Sequence, residues 1–185
     1  MASPADANGG ADQLKALVRT IPDFPKPGIQ FRDVTTLLLD PTGLAASVEA
    51  MAATVDGPID LVAAIDARGF AIGGALAVRL GAGLLLIRKD GKLPGATIAE
   101  DYALEYGTDR LQMHVDACAP GARVLVVDDL IATGGTALAA VRLVRRAGGT
   151  VTGARFLIDL AELGGAEALR EDGVEAISLM AYDGD

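Results

Sequence analysis

VLVVDDLIATGGT, residues 124–136, decides how this chain is to be read, because an apolar strand ends there in two carboxylates and turns into glycines and hydroxyls. Val124 to Val127 are four apolar residues in a row, the pattern of a short parallel strand buried on both faces. Ligands of open α/β sheets gather at the carboxyl ends of such strands, so Asp128 and Asp129 are expected at the rim. Thr133, Gly134, Gly135 and Thr136 then make a tight loop opening a helix. Its free backbone N–H groups, its hydroxyls and the positive end of the helix dipole favour a phosphate. Two adjacent carboxylates would repel that phosphate; they suit sugar hydroxyls or a magnesium ion. A lone acid pair or a lone Gly-Gly is common, but this ordered combination is not. The segment forms neither G-x-x-x-x-G-K-[ST] nor G-x-G-x-x-G, which argues against ATPase and dehydrogenase readings.

Working outward, 185 residues make one domain, residues 1–185, large enough to bury about 70% of the surface its unfolded chain exposes. With 16 Lys and Arg against 25 Asp and Glu, the net charge of −9 offers no basic field to nucleic acid or an anionic membrane. Any anion site is therefore local. A single cysteine, Cys118, excludes an internal disulfide and fits a reducing, cytoplasmic setting; with a single histidine, His114, there is no zinc cluster. Neither Cys118 nor His114 receives a role. The first ten residues, MASPADANGG, have neither a basic stretch nor an apolar core, and no apolar run approaches a membrane span.

The elements alternate as a parallel sheet requires. Residues 1–12 read as a disordered leader, and Leu14, Leu17, Val18 and Ile21 as a short helix stopped by Pro22. Asp40 and Pro41 start a helix whose Leu44, Val48, Met51, Ala52 and Val55 face the core. Leu61 to Ile65 is a strand leading through DARGF into a helix from Ile72 to Leu80. Leu84 to Ile87 is the next strand. Val124 to Val127 leads into a helix from Ala137 to Ala147, and Val151 to Ile158 and Ala176 to Leu179 bring the sheet to about five strands. Residues 89–119 form a long insertion with alternating residues around TIAEDYALEY and a turn at GTD, consistent with an antiparallel hairpin; long insertions in compact domains are usually lids.

Further candidates share the rim. Asp66, Ala67, Arg68 and Gly69 follow the first core strand, where backbone amides and a guanidinium suit a diphosphate, although an isolated DARG is more often a solvated strand end. Arg88, Lys89 and Lys92 follow the next strand, so positive charge or free amides collect at three strand ends of an acidic protein, a focusing that suits a polyanion. Glu105 and Tyr106, in LEYG, offer an acid/base and a hydroxyl on the insertion, against the plainer reading of an exposed carboxylate on a hairpin.

FPKPGIQFRD, DARGF, RKDGKLPG, LEYG and VVDDLIATGGT stand in the order and spacing of the adenine phosphoribosyltransferases, type I members of their superfamily, and the resemblance runs from Ile21 to Tyr182. Ala67 departs from it where many members have serine, which leaves a backbone contact intact, and Gln30 replaces a more usual apolar residue. The resemblance implies a central parallel sheet flanked by helices, a small base-binding hood over residues 21–36 and a lid over residues 89–119. It implies transfer of the phosphoribosyl group of 5-phosphoribosyl-1-pyrophosphate (PRPP) to adenine, giving AMP and pyrophosphate in purine salvage, with Mg2+ held mainly by PRPP and Asp128 and Asp129 as its candidate protein ligands; it also implies that the chain forms a homodimer. Carried over residue by residue, Asp128 and Asp129 hold ribose, and Ala132, Thr133, Gly134, Gly135 and Thr136 the 5-phosphate. Ala67, Arg68, Arg88, Lys89 and Lys92 serve pyrophosphate, while Gln30, Phe31, Arg32 and Arg68 serve adenine. Glu105 handles or orients a proton, with Tyr106 beside it. A phosphoribosyltransferase for another purine base and a non-catalytic PRPP-binding regulator remain the alternatives; the regulator usually carries a DNA- or RNA-binding element that this acidic chain lacks.

Overall fold

The computed structural model describes residues 4–104 and 107–183. A seven-stranded sheet runs in the order β5-β6-β4-β3-β7-β8-β9. Five of its strands are parallel: β4 (Gly83–Lys89), β3 (Leu61–Ile65), β7 (Arg123–Ile131), β8 (Thr150–Leu160) and β9 (Ala176–Tyr182). The expected parallel sheet is thus present. The insertion adds β5 (Thr97–Leu104) and β6 (Gly107–His114) as an antiparallel hairpin, joined to the sheet where Arg88 and Lys89 pair with Gln112 and Leu111. GTD, expected to be its turn, lies instead in β6, where Gly107 pairs with Leu104.

Helices α3 (Pro41–Ala53) and α4 (Gly69–Leu80) cover one face, and α5 (Gly135–Arg146) and α6 (Gly165–Glu171) the other. Asp40 caps α3 by accepting from the Gly43 N–H at 2.7 Å, with Pro41 in the first turn, as its sequence predicts. In α5 the apolar Ala139, Ala140, Leu143 and Val144 are buried while Arg142, Arg145 and Arg146 face outward, so burial of one stripe drives docking. Helix α4 approaches β3 closely because both surfaces are small: a Cβ on Gly73 would lie 2.6 Å from that of Ala64.

Three expectations give way. Helix α1 (Pro4–Leu17) occupies part of the stretch expected to be a disordered leader, anchored by buried Leu14 against α3 and β9. Ile21 and Pro22 are not helical but belong to β1 (Arg19–Pro22), which pairs with β2 (Gln30–Asp33) as a separate two-stranded hood, followed by the short α2 (Thr35–Leu39). The strands also run further than their apolar cores. Asp128 and Asp129 lie inside β7, because β8 continues alongside and pairs Asp128 with Phe156 and Ile131 with Asp159. Among the described residues no helix is long and apolar enough to cross a membrane.

The sheet order positions the site. From β3 the chain steps to β4 on one side and later returns to β7 on the other, so the loops after β3 and β7 diverge and leave a crevice between them at their carboxyl ends.

Candidate active site

On one side of that crevice, residues 130–137 and Asp128 line a cleft of about 140 Å³. Gly134 carries the chain into α5 with φ 85°, a left-handed conformation that side chains disfavour. No side chain caps α5, so the first-turn N–H groups remain open toward the cleft. The loop is braced from behind: the Gly165 N–H donates to the Ala132 carbonyl at 2.9 Å, and a Cβ on Gly165 would lie 2.3 Å from that oxygen. Gly165, which carries no local signal in its sequence, thus completes the loop from a distant helix.

A second cleft of about 210 Å³ adjoins the first and is lined by Asp66, Ala67, Arg68, Lys89, Asp128, Asp129, Leu130 and Thr136. The two acids are more enclosed than a place at the rim implies. Asp129 is 4% exposed and accepts from Arg68 Nε at 2.5 Å. Asp128 packs against the start of α4, where a Cβ on Gly69 would lie 2.7 Å from its Oδ1, and that oxygen accepts the Asp129 N–H at 2.8 Å. Burial, reinforced by the neighbouring Asp129 charge, pushes the Asp128 carboxyl well above the usual carboxylate range. Burial works against the charged form of Arg68, but its hydrogen bond and charge pairing with Asp129 outweigh this and raise its pKa.

Arg88, Lys89 and Lys92 do not act as one cluster. Arg88 and Lys89 are consecutive residues of β4 and so point to opposite faces. Lys89 enters the cleft, where its ammonium binds the Asp109 carboxylate and lies 2.7 Å from the Tyr102 hydroxyl. Burial opposes that charge, yet the bonds to Asp109 and Tyr102 prevail and raise the Lys89 pKa. Arg88 reaches the cleft only through Asp66, at 3.1 Å; it also donates to the Lys92 carbonyl and lies over the Phe70 ring. The Lys92 side chain is exposed.

The hood closes the other end. Phe31 meets Phe24 edge-on at 5.1 Å, and the Arg68 guanidinium lies 5.5 Å from the Phe31 ring centre, so one arginine touches both the hood and the acids. Gln30 and Arg32 flank Phe31 on β2, with Arg32 turned away to donate to Thr20 Oγ1 at 2.6 Å. The hood is fixed to α2 by Asp33, which accepts from Arg19 across β1–β2 and from the Thr35 N–H at 2.9 Å. The Arg19 and Thr35 bonds lower its pKa to about 2. Glu105 and Tyr106 lie outside the described residues. Phe24, Tyr102 and Asp109 join the site unforeseen, since each meets its partner only through the tertiary fold.

The described residues contain no group of three or more His, Cys, Asp or Glu able to hold a metal ion. Asp128 and Asp129 supply oxygen donors of the type magnesium takes when substrate phosphates complete its shell. The residues therefore fit a cation brought in by a phosphorylated substrate.

A phosphoribosyl transferase domain matches residues 37–170. The adenine phosphoribosyltransferase of Erythrobacter litoralis is 57% identical over 175 residues, 94% of this chain and 98% of that one. The crystal structure of adenine phosphoribosyltransferase from Rhodothermus marinus superposes with a TM-score of 0.88 at 47% identity, covering 95% of this chain and 99% of that one. The Saccharomyces cerevisiae enzyme, complexed with D-2,5-dideoxy-2,5-imino-altritol 1,6-bisphosphate and adenine, gives 0.86 at 33% identity, covering 93% and 99%. With these matches spanning nearly the whole fold, the chain belongs to the phosphoribosyltransferase family and, within it, to the adenine phosphoribosyltransferases.

Proposed function

We propose that this chain transfers the 5-phosphoribosyl group of PRPP to N9 of adenine, giving AMP and pyrophosphate. The observation that carries this reading is the position of Arg68, whose side chain joins the acid pair of β7 to the aromatic hood, so that a sugar phosphate and a planar base are held on either side of one residue. The 5-phosphate is assigned to Ala132, Thr133, Gly134, Gly135 and Thr136, where the uncapped start of α5 supplies N–H donors and the dipole. Asp128 and Asp129 take the ribose hydroxyls. Ala67, Arg68 and Lys89 take the pyrophosphate, with Arg88 supporting Asp66 and Lys92 at the outer edge.

The reaction breaks the anomeric carbon–oxygen bond to pyrophosphate and forms a bond to N9, whose proton leaves. Displacement at an anomeric carbon passes through an oxocarbenium-like state, so neutralising the departing pyrophosphate and steadying the ribose lower the barrier. Magnesium, bound through PRPP with Asp128 and Asp129 as protein ligands, would supply further charge neutralisation on the leaving group. The closely packed cleft fixes the ribose face, while Phe31 stacks on adenine. Main-chain groups around Gln30 and Arg32 read its edge: an N–H to N1 and a C=O from the amino group mismatch hypoxanthine, whose donor and acceptor are reversed. Glu105 handles or orients the proton, with Tyr106 beside it, by similarity to the family.

Two such chains are proposed to form a homodimer, supported by the exposed apolar Val78, Leu84 and Leu86 on α4 and β4, and the single buried cysteine suits the cytoplasm. The test is release of pyrophosphate from PRPP, magnesium and adenine. Turnover dependent on adenine is expected; tight PRPP binding without release would favour a non-catalytic regulator.

A further inference from the structure

Arg32 sits next to Phe31 on β2, yet its side chain faces away from the cleft. Its Nη1 donates to Thr20 Oγ1, but its Nε is buried with no hydrogen-bond partner, and the guanidinium lies instead 4.5 Å from the centre of the Tyr182 ring. The Lys15 ammonium of α1 lies 5.2 Å from the same ring. Tyr182 itself ends β9, paired with Leu160 of β8 and packed against the apolar layer that holds Leu157, Ile158 and Met180. The ring is therefore a fixed part of the main sheet, and Arg32 is a part of the hood. Cation–π contact between them ties the small sheet to the large one at the residue adjoining Phe31.

We propose that Tyr182 is a positioning residue for base recognition: its ring, engaged by Arg32 and Lys15, holds the β2 backbone at Gln30 to Arg32 in the register that reads the base. This rests on the reading of the hood as the adenine site. An aromatic ring suits the role because it holds a guanidinium without a carboxylate, which would add negative charge near a site for polyanions. The hydroxyl is not needed, so phenylalanine should serve as well.

The test compares Tyr182→Leu and Tyr182→Phe by steady-state kinetics with magnesium, varying adenine and PRPP separately, on protein shown to be folded by thermal denaturation. Tyr182→Leu is expected to raise the KM for adenine about fivefold to tenfold while leaving the KM for PRPP within about twofold, and Tyr182→Phe to match the wild type. Arg32→Gln, which leaves β9 untouched, should show the same split and decides the matter if Tyr182→Leu does not fold. The double variant Tyr182→Leu/Arg32→Gln should be no worse than Tyr182→Leu alone, since that change already removes the contact with Arg32. An unchanged adenine KM, a parallel rise in both KM values, or additive effects in the double variant would overturn the positioning role. Absence of adenine turnover in the wild type would instead overturn the functional reading beneath it.

Discussion

The two halves of the cleft are built from different materials. The half assigned to phosphate is main chain, made where β7 runs into α5, with Ile131 and Ala137 buried and Gly165 packed against the loop from behind. The half assigned to the base is a two-stranded sheet outside the main one, its Phe24 half exposed, held by side-chain pairs: Arg19 with Asp33, Arg32 with Tyr182, and Arg68 over Phe31. A phosphorylated ribose is the same whatever base it meets, and in the proposed function it is read by backbone embedded in the core. The base is what varies, and in the same proposal it is read by an appended element that can change without disturbing the sheet.

If that division holds, the largest effect comes from unsettling the backbone half. Gly165→Ala forces a methyl group against the Ala132 carbonyl, and moving that loop should lower kcat/KM for PRPP by about 10²-fold or more, with adenine binding nearly unaffected. An equal loss for both substrates would show the halves to be mechanically joined. Next comes Asp128→Asn, expected to lower kcat/KM for PRPP by about 10- to 100-fold, because a charged partner of the ribose is lost. The same change should stabilise the ligand-free protein by a few degrees in Tm, roughly the effect of 1 kcal/mol in a chain of this size. The sign follows from the raised pKa: both states are protonated below the usual carboxylate range, and ionising the unfolded chain as pH rises costs the native state stability until its own pKa is passed. The Tm gain should therefore be present at pH 8 and vanish below about pH 4, near the unperturbed aspartate pKa. A constant gain would mean that the charge is not its source.

On the base side, Phe31→Ala should raise the KM for adenine about tenfold by removing a stacking surface, while hypoxanthine stays rejected because the edge is read by main chain. New turnover of hypoxanthine would hand selectivity to the side chain. The smallest effect is at the β5–β6 hairpin. Asp109→Asn frees Lys89 from its carboxylate, and pyrophosphate should then inhibit at about a twofold to fivefold lower concentration, the scale of a part-exposed ion pair. Unchanged inhibition would remove Lys89 from the pyrophosphate site.

The phosphate half was also the more legible in the sequence. Four apolar residues followed by two acids and T-G-G-T carry strand, rim and helix start in consecutive positions, so local pattern sufficed for Thr133 to Thr136. The same pattern misplaced the acids, because an aspartate pair looks like a strand end; β8 runs on alongside and pairs with them, which no local signal records. Arg88 and Lys89 read as a loop cluster for a similar reason, whereas strand pleating sends them to opposite faces. Helix α1 was hidden by Gly9 and Gly10 and a weakly apolar composition, its anchor being Leu14 against distant elements. The hood was visible only as a motif. Its contacts with the rest of the molecule, Phe31 with Arg68 and Arg32 with Tyr182, join residues whose meeting depends on the whole topology.

The division between an invariant phosphate half and a discriminating base half is tested most directly by one panel: kcat/KM of the wild-type protein for adenine, hypoxanthine, guanine and xanthine at saturating PRPP and magnesium. The account predicts turnover of adenine with the other three lower by about 10³-fold or more, since each leaves a main-chain donor or acceptor of the hood unpaired. Comparable turnover of hypoxanthine or guanine would contradict it.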